Sequence, residues 1–137
     1  MFDFIRSARF VAPLGAVLLL PAQAMAFELS GAWATDAGLC NQVFTKKGGE
    51  VAFAELSDLY GSGFIIEGDR IKGKNGRCTI TSKKQDGANV ELAAACATSV
   101  MTQNLSFSLK IIDDNSLTRL FSEIPGMTIR YVRCAPL

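Results

Sequence analysis

Histidine is absent from the 137-residue chain, and its absence excludes several kinds of chemistry together. Histidine is the usual base of serine and cysteine nucleophile systems and the commonest side-chain metal ligand. A Ser-His-Asp triad, a Cys-His pair and any histidine-bearing zinc or haem site are therefore impossible. Carboxylates, tyrosine, lysine and serine remain, but no catalytic, cofactor or metal motif is built from them. We expect a protein that is not an enzyme and that carries no cofactor or metal.

Long apolar runs are also scarce. The longest, residues 10–20, covers about eleven residues, whereas a membrane-spanning helix needs about twenty. Arg6 and Arg9 precede this run and a small-residue stretch ending at Ala26 follows it, which is the order found in a secretory signal peptide. A membrane anchor is the competing interpretation. We predict a signal peptide over residues 1–26, cleavage after Ala26, and a periplasmic or secreted mature protein with no transmembrane anchor.

Charge of one sign does not dominate the sequence. Arg6, Arg9 and Asp3 leave with the signal peptide, so the 14 basic and 13 acidic residues of the chain fall to equal numbers. Neutrality gives no support to nucleic acid or an anionic membrane as a partner. Linkers, low-complexity tracts and internal repeats are missing as well. We expect residues 27–137 to form a single monomeric domain.

Cysteine is present at four positions, all of them after the predicted cleavage site: Cys40, Cys78, Cys96 and Cys134. An even number in an exported chain indicates two disulfides. The wide spacing does not match the close C-x-x-C pairs of zinc sites. Four cysteines allow three pairings. We favour Cys40 with Cys78 and Cys96 with Cys134. Each bridge would then close about forty residues and contribute on the order of 3 to 4 kcal/mol.

Apolar and polar residues alternate with a period of two, which is typical of half-buried antiparallel strands. Leu105, Phe107 and Leu109, for example, alternate with Ser106 and Ser108. Turns rich in glycine, aspartate and asparagine separate the strands. The predicted strands lie near residues 30–35, 42–47, 50–54, 63–67, 70–73, 77–83, 89–96, 104–112, 116–121 and 128–134.

Eight to ten short strands in a meander favour an all-β fold, a small antiparallel β-barrel braced by the disulfides, because a closed barrel leaves no unpaired edge strands. Only residues 55–60 look helical, and we expect them to form one turn that covers a barrel end.

The sequence E-L-S-G-A-W at residues 28–33 resembles the G-x-W opening of calycin-type barrels, which include lipocalins, avidins and bacterial metalloprotease inhibitors. The resemblance implies that Trp33 packs over one barrel end beside a basic residue of the last strand, either Arg130 or Arg133, in a cation–π contact. The inhibitor branch also has a cysteine soon after this motif, matched here by Cys40. The overall pattern resembles uncharacterised secreted proteins of Gram-negative bacteria too.

The most uneven charge lies in residues 70–84, which begin with the candidate binding residues Arg70, Lys72 and Lys74. If the strands in this segment pair, several basic side chains share one outer face and can attract an anionic partner. A solvated face on which lysines discourage aggregation is the interpretation we favour.

Two loops supply further candidates. Residues 97–104 contain Val100 and Met101, and residues 122–127 contain Ile124. Exposed apolar side chains on loops form docking surfaces. The favoured alternative is that these loops fold inward and plug the barrel ends.

The leading hypothesis is a non-enzymatic binding module for an unknown protein or small ligand, in one version an inhibitor of a secreted hydrolase. The alternative is a carrier that holds a small apolar ligand inside the barrel, with its mouth near Trp33 and Tyr60. An enzyme that uses carboxylates, tyrosine, lysine or serine is the third possibility.

Overall fold

The computed structural model of the protein describes residues 11–12, 15–19 and 26–135, and in it eight antiparallel strands close into a barrel. The structure confirms the predicted all-β, disulfide-braced barrel. Arg6, Arg9 and most of the predicted signal peptide lie outside the described residues, so the signal peptide and its cleavage after Ala26 stay predictions. No helix in the described part of the chain is both long and apolar enough to cross a membrane.

The strands lie close to the positions that the period-two pattern predicts. They are β1 (Gly31–Ala34), β2 (Phe44–Lys47), β3 (Glu50–Phe53), β4 (Gly63–Glu67), β5 (Arg70–Lys72), β6 (Gly76–Asp86), β7 (Asn89–Thr98), β8 (Thr102–Asp113), β9 (Ser116–Leu120) and β10 (Thr128–Cys134). A short helix, α1 (Cys40–Val43), and two 3-10 turns, Ala37–Leu39 and Ser57–Leu59, lie between β1 and β4. The order around the barrel is β1, β10, β9, β8, β7, β6, β5, β4, while β2 and β3 form a separate hairpin.

Tight glycine turns explain why strands adjacent in sequence pair with one another. Gly68 joins β4 to β5 and Gly87 joins β6 to β7, with φ of +59° and +58°. These values lie in the left-handed region, which glycine adopts without the steric cost of a Cβ atom. β1 closes the barrel by pairing with β4 on one side and with β10 on the other.

The strand directions give the barrel two distinct ends. At the closed end β1 begins and β10 finishes, and the loops are residues 68–69, 87–88 and 114–115. At the open end β4 begins, and the loops are residues 73–75, 99–101 and 121–127.

Trp33 fills the interior of the barrel towards the closed end and is 0% exposed. Its indole Nε1 donates a hydrogen bond of 2.9 Å to the carbonyl of Leu29. The guanidinium of Arg133 lies 4.3 Å from the Trp33 ring centroid and donates to the carbonyls of Ser30 and Glu28 at 2.6 and 2.7 Å. One arginine therefore covers the indole and fixes the segment that leads into β1. The prediction of a barrel mouth near Trp33 and Tyr60 is wrong for Trp33, which packs towards the closed end, whereas Tyr60 lies just before β4, which begins at the open end.

Arg133 takes the position beside the indole that the calycin resemblance implied for either of two arginines. Arg130 is exposed on the outer wall, because residues 129, 131 and 133 of β10 point inward and residue 130 points outward. The alternation along a strand decides between the two.

The chain between β1 and β4 packs against the outside of the barrel. Val43 of α1 and Phe44 of β2 are buried against Ala34 of β1 and Ile65 of β4 in a second apolar cluster. A Cβ atom at Gly63 would lie 2.5 Å from the carbonyl oxygen of Trp33 and 2.8 Å from the Phe44 ring. The close approach of this layer to the wall therefore depends on the missing side chain at position 63.

The disulfides connect Cys40 to Cys134 and Cys78 to Cys96. The favoured pairing of Cys40 with Cys78 and Cys96 with Cys134 is wrong. Cys78 and Cys96 are direct partners on β6 and β7, with Cα atoms 4.0 Å apart, and both pack towards the interior. Cys134 packs in the outer cluster with α1. The barrel wall thus separates one pair from the other, and only neighbours within bridging distance can join.

Residues 55–60 do contain one helical turn, Ser57–Leu59. The apolar side chains of this turn, those of Leu56, Leu59 and Tyr60, are exposed. The expectation that the turn covers a barrel end stays a prediction. Leu56 has a φ of +59°, a conformation that is unfavourable for leucine because its Cβ crowds the backbone.

Candidate functional site

A cavity of about 280 Å³ lies inside the barrel towards the open end. Most of its lining is apolar, and the principal side chains are Phe64, Ile71, Leu92, Leu105, Phe107 and Leu109. The wall around it also includes Gly73 and Gly76, which contribute no side chain to the interior. Large residues fill the closed end, whereas glycines leave space at the open end.

The strand pattern explains how these side chains come to line one space. Leu105, Phe107 and Leu109 alternate with serines along β8, so they share the face that points into the barrel. The Cys78–Cys96 disulfide joins β6 to β7 in the same wall. The predicted period-two pattern therefore produces the apolar lining directly.

An aromatic group separates the cavity from the closed end. The Phe64 and Tyr131 rings pack edge to face with centroids 4.8 Å apart, and both residues line the cavity. Phe64 also stacks near Trp33, with centroids 6.3 Å apart. Phe64 therefore connects the cavity lining to Trp33, the single tryptophan of the chain.

Arg119 is a charged lining residue that the sequence analysis did not identify. It lies near the end of β9, two positions after Leu117, which is fully buried in the core, so its side chain starts on the inward face. The guanidinium carbon lies 4.7 Å from the Phe107 ring centroid and 4.4 Å from that of Phe121. The period-two spacing from Leu117 is the sequence signal that points to it.

The two apolar loops predicted as candidates both lie at the open end. Val100 is 87% exposed, and Met101 and Ile124 are each 55% exposed. The favoured interpretation that they fold inward and plug the barrel is therefore wrong, because their side chains face solvent. Met101 also contributes to the cavity lining, so the loop 99–101 forms part of the rim of the opening.

The basic candidates Arg70, Lys72 and Lys74 lie elsewhere, along a groove between the hairpin of β2 and β3 and the outer face of β5 and β6. Lys72 forms an ion pair with Glu67 at 3.0 Å, and Lys74 pairs with Asp58. Local carboxylates thus neutralise two of the three candidates, and the arrangement matches the solvated face more closely than a strong anion site.

Among the described residues, three carboxylates have a pKa below the ordinary value of the group, and all three lie outside the cavity. The hydrogen bond from Lys74 lowers the pKa of Asp58. Backbone N–H groups lower the pKa of Glu28 and that of Asp113, through Ser30 and Asn115 respectively. The three carboxylates therefore stabilise the conformations of their loops. Within the described ranges no three Cys, Asp or Glu side chains cluster in a way that could hold a metal ion.

Comparison of the chain with protein-family models, curated proteins and solved structures finds no significant match. The closed eight-stranded barrel is consistent with the calycin architecture that the opening motif implies.

Proposed function

We propose that the protein is a non-enzymatic binding protein that holds a small apolar molecule inside its barrel. The observation that carries this proposal is the cavity of about 280 Å³, lined by apolar side chains and open at one end. Barrels of eight strands are wide enough either to be filled by side chains or to hold one small ligand. The glycines at the open end favour the second arrangement here.

The size of the cavity limits the ligand. At about 30 Å³ for a water-sized group, the cavity holds roughly nine such groups, which suits a chain of about eight to ten carbons or a small ring system. Each methylene group moved from water into such a lining contributes about 0.8 kcal/mol. Burial of an apolar tail of this length therefore supplies a favourable free energy that can offset the loss of translational and rotational freedom on binding.

The proposed location is the periplasm or the medium. Two disulfides indicate an oxidising compartment rather than the cytosol. The charged start, apolar centre and small-residue end of residues 1–26 support export by a cleaved signal peptide. A lipocalin-like carrier would have the same location and the same type of barrel.

Native mass spectrometry of the protein, expressed with export so that its disulfides form, tests the proposal. The expected result is a bound small molecule, or binding of added decanol to the stripped protein by calorimetry. Leu105→Trp should fill the cavity and weaken decanol binding at least tenfold. Ser106→Trp is the matched control, because Ser106 is exposed on the outer face of the same strand. The proposal is refuted if wild-type protein carries no bound mass and binds no apolar probe.

A second candidate is inhibition of a secreted hydrolase, favoured by the exposed Val100, Met101 and Ile124 at one end of the barrel. A small rigid scaffold that presents apolar loops is suited to insertion into a protein cleft. Assays of secreted proteases and lysozymes with micromolar protein test this candidate. Unchanged rates with all of them would exclude it, and they leave the carrier proposal unaffected.

A further inference from the structure

Arg119 places a permanent positive charge beside an apolar cavity. Its neighbour on the same strand face, Leu117, is fully buried, and its ladder partners are Leu109 on β8 and Ile129 on β10. All three partners belong to the apolar interior or pack against it. A filled structural core would place leucine or valine at such a position, so arginine there requires an explanation.

Two aromatic rings stabilise the guanidinium by cation–π contact but offer no acceptor to its N–H groups. Phe107 and Phe121 lie within 5 Å of the guanidinium carbon, a distance at which cation–π attraction operates. Arginine also has five N–H donors arranged in the plane of the group. Among the residues that the structure describes, no carboxylate forms an ion pair with Arg119, and no acceptor forms a hydrogen bond with its guanidinium.

The contrast with Arg133 shows what a satisfied inward arginine looks like in this barrel. Arg133 also stacks on an aromatic ring, but its guanidinium donates to three backbone carbonyls, those of Ser30, Glu28 and Asp114. Its role is therefore structural. Arg119 has the same aromatic contact without the acceptors, and it borders the cavity instead of a chain segment.

We infer that the ligand of the cavity is an anionic amphiphile, and that Arg119 binds its charged group. This inference rests on the proposed function, because it specifies the chemistry of the ligand in the same site. The planar guanidinium binds a carboxylate, or a similar oxyanion, through two parallel hydrogen bonds. The phenylalanine rings hold the guanidinium in place, so little ordering is required when the anion arrives.

The position of Arg119 sets the orientation of the ligand. Phe121 begins the loop 121–127 at the open end, so the charged group lies near the opening. The apolar tail then extends past Phe107 and Leu109 towards Phe64 and Tyr131.

Calorimetric titration with decanoate and with decanol tests this inference, since the two probes share a tail and differ in charge at pH 7. Wild-type protein should bind decanoate more tightly than decanol. Arg119→Met keeps an apolar contact with both rings and should weaken decanoate binding by about ten- to hundredfold, the range expected for hydrogen bonds to a charged group, with decanol unchanged. Arg119→Lys should retain part of the preference.

Arg130→Met is the matched control, because it removes the same charge from the exposed outer wall of β10. It should leave both affinities unchanged, whereas a loss equal to that of Arg119→Met would show an effect of net charge and overturn the inference. Equal binding of the two probes by wild-type protein would overturn it as well, while leaving the proposed function intact. Failure to bind either probe would refute both, and thermal denaturation of each variant identifies any that does not fold.

Discussion

The disulfide pairing predicts that the two bridges stabilise the protein to different extents. Cys40 and Cys134 are separated by 94 residues, and Cys78 and Cys96 by 18. In the chain-entropy model the stabilisation rises with the logarithm of the loop length, which gives about 4.7 kcal/mol for the long loop and about 3 kcal/mol for the short one. Replacing both cysteines of a pair by alanine should therefore cost about 1.5 kcal/mol more for the long bridge than for the short one.

Burial does not account for this difference. Each bridge has one buried cysteine, Cys134 at 7% exposure and Cys96 at 9%, and one partly buried cysteine. The loss of side-chain packing is therefore similar in the two double variants.

Urea unfolding followed by the fluorescence of Trp33 measures both losses, because this single tryptophan is fully buried in the native state. Non-reducing peptide mapping of the wild-type protein is the control for the pairing itself. Equal losses for the two double variants would refute the reasoning from loop length. A peptide that joins Cys40 to Cys78 would refute the pairing. The two loops would then have the same length, and no difference in stabilisation would be expected between the bridges.

Three further predictions concern the backbone and the pH dependence of stability. Leu56→Gly should raise the free energy of unfolding by about 1 kcal/mol, because glycine adopts the left-handed φ of this position without strain. Leu59→Gly in the same turn is the control and should not raise it. Thermal denaturation measures both variants. Gly63→Ala should lower the free energy of unfolding by about 1 to 3 kcal/mol because its Cβ meets a backbone carbonyl of β1, and Gly73→Ala, whose nearest contact is 3.4 Å, should be tolerated in the same urea titration. Stability should be nearly constant between about pH 5.5 and 8, since the chain has no histidine, and should fall in acid below about pH 4. The hydrogen bond from Lys74 lowers the folded-state pKa of Asp58, so the stabilisation from this carboxylate is complete above its unfolded-state pKa and is lost as pH falls through the folded-state pKa. Asp58→Asn should therefore reduce the slope of stability against pH in the acid range. An unchanged slope would contradict the assignment of this stabilisation to Asp58.

The strands could be predicted from sequence because each barrel strand has one solvent-exposed face and one buried face, and glycine turns mark the ends of the strands. The disulfide pairing could be predicted only in part. Counting back from the two-residue turn at Gly87 places Cys78 opposite Ala97, one position from Cys96. A bulge between Ile80 and Ser82 shifts the register by that one residue. Nothing in the local sequence marks this bulge, so the correct partner becomes apparent only in the structure.

The candidate site was less accessible to sequence analysis. Alternation from Leu117 places Arg119 on the inward face, but alternation alone does not show whether the interior beside it is filled. The cavity depends on Gly73 and Gly76 lying together in the wall, and on apolar loops that stay outside the barrel. Both are properties of the closed sheet and not of any single strand. The basic segment was visible in the sequence, but the pairing of Lys72 with Glu67 was not, because the two lie on different strands.

Both ends of the described barrel chain lie at the closed end. The backbone N–H of Phe27 donates to the side chain of Gln85 beside the turn 87–88, and Cys134 finishes β10 at the start of β1. An affinity tag, a fusion partner or a surface linker joined next to Phe27 or Cys134 would therefore sit on the opposite side of the molecule from the opening. We therefore expect protein immobilised through either of these positions to keep the opening of its barrel directed into solution.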